Sequence, residues 1–337
     1  MPTLLCDAPE DDFSDCDAMI KDSKLLVILW IIMVFVIAAN ILSFFVRLII
    51  AGNRNPSRIL ILNLIFSDFL MGVFLAGIVQ KYYSAKNEYY VHDREWRQSN
   101  MCKAIGVIAL LSSEVSLGTM AAIGYVRYRS VVHAISGKTV HSNFIRITLV
   151  VIWVFGFCVS ITPAFVKTYF YDEETGNGFY GENALCLPLQ LPGDNQTAWE
   201  YSFALFACVN LIVVCYIVTL YVYMAYKLFL TKIDRVSHQN NEDIILTIRI
   251  SMVILTDIFS WIPVIILLFL SLSRAVSDKE KEIYSWFVVV VFPLNSAINP
   301  LLYTLFSPRI WRKTKDAFHS FFARICGSEG KNSNHYV

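Results

Sequence analysis

Seven long apolar stretches limit what this sequence can fold into. Each holds 20 to 26 residues, and they are Leu25–Val46, Ile59–Val79, Ala104–Val126, Ile147–Val166, Tyr201–Tyr226, Ile250–Leu272 and Ile283–Phe306. A helix of about 20 apolar residues crosses the hydrocarbon core of a bilayer. Lipid offers no hydrogen-bond partners to backbone amides and carbonyls, so a segment that is not part of a closed barrel must be helical to cross the membrane. Only 16% of the residues are charged, against about 25% in soluble domains. The sequence therefore predicts an all-α membrane protein, a bundle of seven transmembrane helices.

The charged residues between the spans predict their orientation. Seventeen Lys and Arg residues lie on the side of the first connection and the carboxyl-terminal tail, and eleven lie on the other side. Basic residues mark the cytoplasmic side of a membrane protein. The sequon Asn195-Gln196-Thr197 falls on the opposite side, where glycosylation of asparagine takes place. We therefore expect a multi-pass protein of the plasma membrane, with an extracellular amino terminus and a cytoplasmic carboxyl terminus.

The predicted organisation has three parts: an extracellular segment 1–23, the bundle 24–306, and a cytoplasmic segment 307–337. The first segment is acidic and does not resemble a cleavable signal peptide, so the first span is expected to act as a signal anchor unless the chain is the end of a longer one. The connections between spans are short. In the last segment, apolar residues from Ile310 to Ile325 recur at helical spacing opposite basic residues. This pattern predicts an amphipathic eighth helix on anionic lipid. Cys326, at its end, is a palmitoylation candidate or an unmodified thiol.

Three acidic residues lie inside the spans, namely Asp68, Glu114 and Asp257. Each costs about 2.5–3.5 kcal/mol to insert, which makes a functional role the first hypothesis. Ser116, Asn295 and Asn299, on other spans, supply further oxygens for the Asp68 carboxylate. Such a set suits a sodium ion or a cluster of water molecules. For Glu114, a protonated acid that bonds to a neighbouring helix is an equally good explanation.

Prolines interrupt the fourth, sixth and seventh spans at Pro163, Pro263, Pro293 and Pro300. Each removes a backbone hydrogen bond and favours a kink. Those in the last two spans lie near Trp261 and Tyr303, which predicts a pair of helices that can move.

Other classes of function find less support. The net charge of +1 gives no reason to expect a nucleic-acid partner, and the cysteines and histidines lack metal-ligand spacing. No catalytic motif indicates an enzyme, and no cofactor is expected beyond the candidate sodium ion. A transporter or channel that uses Asp68, Glu114 and Asp257 stays open as an alternative. Transporters usually contain internal repeats, however, and none is evident.

A set of motifs, in order along the spans, resembles the rhodopsin-like (class A) G-protein-coupled receptors over residues 24–325. The motifs are Asn40, Leu64 to Asp68, Cys102 with Arg127-Tyr128, Trp153, Tyr221, Ser260-Trp261-Ile262-Pro263 and Asn299-Pro300-Leu301-Leu302-Tyr303. Each motif alone is weak, whereas the ordered set is specific.

The resemblance implies roles for individual residues. Cys102 and Cys186 correspond to a disulfide that pins the second outer loop to the third helix. Arg127 corresponds to the arginine that engages a heterotrimeric G protein. Val126 takes the place of the family's neighbouring acid, which leaves Asp243 to restrain the arginine and implies basal activity. The remaining switch residues that the resemblance implies are Tyr128, Tyr221, Asn299, Pro300 and Tyr303 at the inner end, and Asp257, Trp261 and Pro263 in the sixth helix.

A narrower resemblance points to the leucine-rich-repeat-containing hormone receptors, and within them to the relaxin receptors. It rests on Ser113-Glu114-Val115-Ser116, on Thr256-Asp257, and on Phe179-Tyr180-Gly181-Glu182-Asn183 before Cys186. The segment from Cys6 through Phe13 to Cys16 resembles the hinge that acts as an internal agonist in those receptors. The 337 residues contain no leucine-rich repeat, so Cys6 and Cys16 either pair with each other or stay unpaired.

The resemblance also narrows the ligand and the partner. Ala109 stands where amine receptors carry an aspartate, and the seventh span lacks the lysine that binds retinal. An extracellular peptide or protein hormone, or a tethered segment, is therefore expected. The hormone receptors imply a stimulatory G protein that activates adenylate cyclase. Because of Val126, a receptor-like scaffold that does not signal is a further alternative.

Overall fold

The computed structural model describes residues 13–50, 56–86, 88–132, 140–173, 175–190, 197–234, 255–256, 259–270, 272 and 278–301. Cys6, Asn195, Asp243, Asp257, Tyr303, Cys326 and the predicted eighth helix lie outside these residues. The α-helices are α1 (Ser23–Ile50), α2 (Pro56–Ser84), α3 (Tyr89–Gln98), α4 (Asn100–Val132), α5 (Ser142–Phe165), α6 (Lys167–Phe170), α7 (Trp199–Ser202), α8 (Asn210–Asp234), α9 (Phe259–Leu270) and α10 (Asp278–Pro300).

Each predicted span contains a helix within its described residues. Among the described residues, five helical stretches are long and apolar enough to cross a membrane: α1, α2, α4, α5, and the stretch from Trp199 to Lys227. Two shorter apolar helices, Phe259–Leu270 and Val288–Pro300, belong to the sixth and seventh spans. Several helices extend past their apolar stretches, since a helix continues into the headgroup layer, where polar side chains are solvated.

The third span, α4, forms the centre of the bundle. It packs against α2, α5 and α8, while α1 packs against α2 and α10. In the most apolar part of α4, 72% of the residues are buried, against 17% in α5. The exposed residues of α5 include Phe155 and Phe165, and these apolar side chains suit contact with lipid.

The fifth span contains an irregular turn. Residues Phe203–Val209 form a π-helix between α7 and α8, and the amide of Asn210 donates to the carbonyl of Leu205, five residues earlier. Such insertions are rare and often occur at functional sites.

Two connections at the end of the bundle near residues 13–22, which we call the outer end, are more ordered than the sequence predicts. The connection after α2 contains the helix α3, whose buried residues are Tyr89, Asp93, Trp96 and Arg97. The connection after α5 contains a 3-10 turn, Phe179–Gly181, and an isolated β-bridge between Tyr171 and Gly178. We call residues 177–190 the plug, because nearly all of them are buried. Tertiary contacts, rather than local periodicity, order both segments.

Residues 13–22, which we call the hinge, form a compact turn that leads into α1. Asp15 Oδ1 accepts hydrogen bonds from the amides of Asp17 (3.1 Å) and Ala18 (2.7 Å). Asp22 Oδ1 accepts one from the amide of Lys24 (2.8 Å), as a helix N-cap does. Phe13, Met19 and Ile20 are buried in the main hydrophobic core. The hinge is therefore part of the folded bundle.

Gly106, on α4, permits the plug to lie directly against the third span. A Cβ atom at this position would overlap the ring of Tyr180 and would lie 2.7 Å from the carbonyl oxygen of Cys186. A backbone oxygen held by a disulfide cannot move aside easily, so only glycine fits here without displacing the plug.

We therefore expect Gly106→Ala to destabilise the folded protein by about 1–3 kcal/mol through overpacking. The measurement is the melting temperature of the detergent-purified chain. Gly178→Ala is the matched control, because its Cβ atom would lie 3.7 Å from the nearest atom, an ordinary contact. Equal melting temperatures for the two variants would contradict the argument.

Candidate functional site

Asp68 connects the second, third and seventh spans. Its Oδ1 accepts hydrogen bonds from Ser116 Oγ (3.0 Å) and Ser296 Oγ (3.1 Å), and its Oδ2 accepts one from Asn299 Nδ2 (2.9 Å). The carboxyl is fully buried. Because a buried polar group is costly unless it is bonded, these three donors account for its placement. The structure thus brings Ser116 and Asn299 to Asp68, as anticipated.

Ser296 is a partner of Asp68 that the sequence analysis missed. It precedes Asn299 by three residues, and residues at this spacing lie on the same face of a helix. That spacing was the signal that could have revealed it. Asn295, which was predicted to supply an oxygen near Asp68, borders a cavity that Ser116 and Ser296 also line.

This cavity of about 20 Å³ is lined by side chains of the second, third, sixth and seventh spans, among them Met71, Ser113, Ser116, Trp261, Asn295 and Ser296. Its volume suits one water molecule or one small ion. Among the described residues, Asn299 Oδ1 and Ser113 Oγ are buried and lack a hydrogen-bond partner. A carboxylate with neighbouring hydroxyl and amide oxygens is the donor set that a hard cation such as sodium takes. The cavity itself is lined by the hydroxyl and amide groups of Ser113, Ser116, Asn295 and Ser296, and Ser116 and Ser296 join it to the Asp68 carboxylate. This set of residues fits a sodium ion.

Glu114 connects the third span to the fifth. Its Oε1 accepts a hydrogen bond from Nδ2 of Asn210 (3.0 Å), the first residue after the π-helix. Both side chains are buried. This bond to a neighbouring helix agrees with the structural explanation for Glu114, in which the acid bonds to another span and has no signalling role. Its partner, Asn210, was not anticipated.

Trp261, in α9, lies where three spans meet. Its ring stacks on Phe206 of the π-helix, with centroids 5.7 Å apart, and contacts Phe292 of α10 edge-on at 6.3 Å. It also borders the cavity beside Asp68. Pro263, two residues further on, is half-buried. A shift of α9 at this level would therefore change both the stacking in the fifth span and the cavity.

At the inner end of the bundle, the third and fifth spans pack through aromatic rings. The rings of Tyr128 and Tyr223 lie 5.7 Å apart. The ring of Tyr221 packs over Gly124, where a Cβ atom would lie 3.3 Å from it. The hydroxyl of Tyr221 is buried and has no hydrogen-bond partner among the described residues. Arg127 is half-buried within the same stretch of α4.

The plug closes the outer end of the bundle. The predicted disulfide between Cys102 and Cys186 is confirmed, with Cα atoms 5.4 Å apart, and it fixes the plug to the third span. The Tyr180 hydroxyl donates to the carbonyl of Ser160 in the fourth span (2.6 Å). Gln190 anchors the plug to the fifth span in a similar way, because its backbone amide donates to Ser202 Oγ (3.0 Å). The plug is thus attached to three spans.

A sequence profile of the 7 transmembrane receptor (rhodopsin family) matches residues 39–303. The chain belongs to this receptor family. It is therefore a multi-pass membrane protein and a G-protein-coupled receptor, and the predictions of a seven-helix bundle and of no enzymatic activity are confirmed.

Individual relatives agree with the family. The receptor is 30% identical to the G-protein coupled receptor GRL101 of Lymnaea stagnalis, over 97% of this chain and 29% of the relative. It is 29% identical to relaxin receptor 1 of Homo sapiens, over 94% of this chain and 41% of that protein. The follicle-stimulating hormone receptor of Bos taurus is 25% identical, over 92% of this chain and 42% of that protein. The receptor chain thus spans less than half the length of these relatives.

Two of the three residues predicted to form an internal agonist, Phe13 and Cys16, lie in the hinge and are described. Phe13 is buried, and Cys16 is disulfide-bonded. The pairing of Cys6 with Cys16 stays a prediction. Packing of the hinge into the core was not predicted, because its few apolar residues stand among acids and show no helical spacing.

We expect sodium to stabilise the purified receptor through Asp68. An ion that binds only the folded state adds about 2.7 kcal/mol at 100 times its dissociation constant. The melting temperature should rise when sodium replaces potassium at constant ionic strength, and Asp68→Asn should abolish most of this rise. Glu114→Gln, which alters another buried carboxyl, serves as the control and should keep the rise. A sodium effect that survives in Asp68→Asn would rule out this site.

Proposed function

We propose that the chain is the signalling bundle of a receptor for an extracellular peptide or protein hormone, or for a tethered segment, and that it activates a stimulatory G protein. The observation that carries this proposal is the packing of the hinge and the plug into the outer end of the bundle. The family match favours a receptor over the transporter that the buried acids also allowed.

The plug supports a large or tethered ligand. Phe179, Tyr180, Leu185 and Leu187 are all buried, and the plug is attached to the third, fourth and fifth spans. Small ligands need a concave pocket that buries most of their surface. A ligand that acts by contact with the outer loops and the hinge does not need such a pocket. A peptide or protein is large enough to make these contacts.

The hinge supplies a direct contact between the extracellular segment and the bundle. Met19 and Ile20 are packed in the same core as the first and second spans. A ligand or a preceding domain that moves the hinge would therefore change packing inside the bundle. This arrangement agrees with the resemblance to hinges that act as internal agonists.

The signal then passes inward through a two-state change. Movement of the sixth span about Pro263 shifts Trp261, and with it Phe206 and the cavity beside Asp68. The inner ends of the third and fifth spans, around Arg127 and Tyr221, then open to the G protein. Such a change needs only a few kcal/mol of differential binding between the two states.

The expected membrane orientation supports this direction of signalling. The distribution of basic residues favours a cytoplasmic carboxyl terminus. The Cys102–Cys186 disulfide lies on the same side as the hinge, and disulfides persist in an oxidising compartment. The plasma membrane, with the hinge outside, is the location that we propose. The likeness to relaxin and follicle-stimulating hormone receptors supports the stimulatory G protein.

We expect basal signalling that depends on Arg127. Because Val126 replaces an acid that would restrain the arginine, cells that express the receptor should contain more cyclic AMP than cells that express Arg127→Ala at equal surface levels. Val126→Asp should restore the restraint and lower the signal at least about fivefold, as for a coupling of about 1 kcal/mol. Equal cyclic AMP in the parent and in Arg127→Ala would contradict basal activity and favour a scaffold that does not signal.

We also expect the hinge to raise the signal. Removal of residues 1–22 should lower cyclic AMP toward the level of Arg127→Ala, since the packing of Phe13, Met19 and Ile20 is then lost. Phe13→Ala should have a smaller effect in the same direction. Surface labelling provides the control for expression. An unchanged or higher signal after truncation would show that the hinge is not an agonist.

A further inference from the structure

Arg97 is among the largest fully buried side chains of the described residues, although it lies in an outer loop. Its side chain is 2% exposed and that of Asp93 is 4% exposed. Charged residues are almost never buried to this extent unless they are paired. Arg97 Nε donates to Asp93 Oδ1 at 2.8 Å, across one turn of α3. A buried ion pair of this kind adds little net stability, because the cost of removing both charges from water offsets their attraction.

The guanidinium also reaches the plug. Arg97 Nη1 donates to the carbonyl oxygen of Glu182 at 2.8 Å. The plug backbone approaches α3 so closely there that a Cβ atom on Gly181 would overlap the carbonyl of Arg97. Next to it, Trp96 Nε1 donates to the carbonyl oxygen of Ala184 at 2.8 Å. The carboxyl-terminal end of α3 therefore binds two carbonyls of the plug, those of Glu182 and Ala184, which precede Cys186 in the sequence.

The side chain of Glu182 adds to this junction. Burial raises the pKa of its carboxyl above the usual value, while a hydrogen bond from Thr197 and the charge of Arg97 act in the opposite direction. Arg97 is therefore an electrostatic as well as a hydrogen-bonding partner of this part of the plug.

The other end of α3 contacts the hinge. The first amides of a helix have no partner within it. The amide of Tyr90 donates to the carbonyl oxygen of Cys16 at 3.1 Å, and Glu88, at the N-cap position, makes no side-chain cap. The hinge thus caps the amino terminus of α3. Because α3 is one short helix of ten residues, a displacement at its first turn moves its last turn as well.

We propose that Arg97 is a positioning residue that couples the hinge to the plug through α3, so that movement of the hinge changes how the plug sits between the helices. This inference rests on the proposed function, in which the hinge supplies the input. It assigns the transmitting contact to a residue outside the membrane spans.

The test measures coupling in the purified full chain by hydrogen–deuterium exchange at the amides of the plug, with no G protein present. Phe13→Ala disturbs the hinge. The double variant Arg97→Met with Asp93→Leu replaces the ion pair with apolar side chains of similar size, a change that often leaves stability intact. It removes the contact with the Glu182 carbonyl. All four combinations of the two changes are compared.

We expect Phe13→Ala to speed exchange in the plug at least about fivefold in the parent chain, the lower end of typical couplings. In the background of the double variant, Phe13→Ala should cause a clearly smaller change, because only the contact from Trp96 to the Ala184 carbonyl then joins this end of α3 to the plug. A purely structural role of Arg97 predicts equal effects of Phe13→Ala in both backgrounds. That outcome, or a Phe13→Ala variant with unchanged exchange in the plug, would overturn the proposal.

Two further variants complete the design. Arg97→Lys keeps the charge beside Asp93 but loses the planar fork that also reaches Glu182, so it should fold and still weaken the coupling. It therefore tests the proposal if the double variant does not fold, and full coupling in it would count against the proposal. Tyr169→Phe removes an exposed hydrogen bond to Glu200 on the same outer face, remote from α3 in sequence, and should leave the coupling intact.

Failure of this inference can be told apart from failure of the proposed function. Intact exchange coupling without any cyclic-AMP response would refute the proposed coupling to a stimulatory G protein while leaving the role of Arg97 in place. A hinge-dependent cyclic-AMP response without exchange coupling would refute the role of Arg97 alone.

Discussion

Polar groups inside a membrane must find their partners within the protein, because lipid offers none. Asp68 meets this condition by accepting hydrogen bonds from the third span and twice from the seventh. Asn40 of the first span donates to the carbonyl of Ser296 (3.1 Å), which brings a fourth helix to the same level. The arrangement of these helices in the middle of the bilayer thus follows from the requirement to satisfy one carboxyl group and the amides around it.

The same requirement explains why the middle of the bundle is suited to a switch. A fully satisfied network would hold one arrangement, whereas this one leaves Asn299 Oδ1 and Ser113 Oγ without partners among the described residues. Ser113 borders the adjacent cavity, where a cation or a water molecule would give its hydroxyl a partner. Because Trp261 borders the same cavity, a movement of the sixth span would change the shape of the cavity.

The sequence predicted the parts of the receptor that repeat a simple physical rule. Spans appear as apolar stretches, and Asp68 stands out as a charge within one. The outer face follows no such rule. Helix α3 is short and polar, and its buried face combines Tyr89 and Trp96 with the charged Asp93 and Arg97, so apolar residues alone do not identify that face. Ser296 and Asn210 are ordinary polar residues until the folded helices bring them to Asp68 and Glu114. Such partners depend on rotation and packing of the helices, which a single sequence does not specify.

The two levels of the receptor differ in how they can transmit a change. In the membrane, the polar contacts of Asp68 and Glu114 each join different spans, so a shift at these residues involves more than one helix. On the outer face, the hinge and the plug are held through the two ends of one short helix, and each contact involves a backbone carbonyl: that of Cys16 at one end, and those of Glu182 and Ala184 at the other. Backbone contacts impose position rather than side-chain identity. A hinge sequence could therefore change while the route to the plug stays the same, provided that Arg97 and Trp96 keep their donors in place.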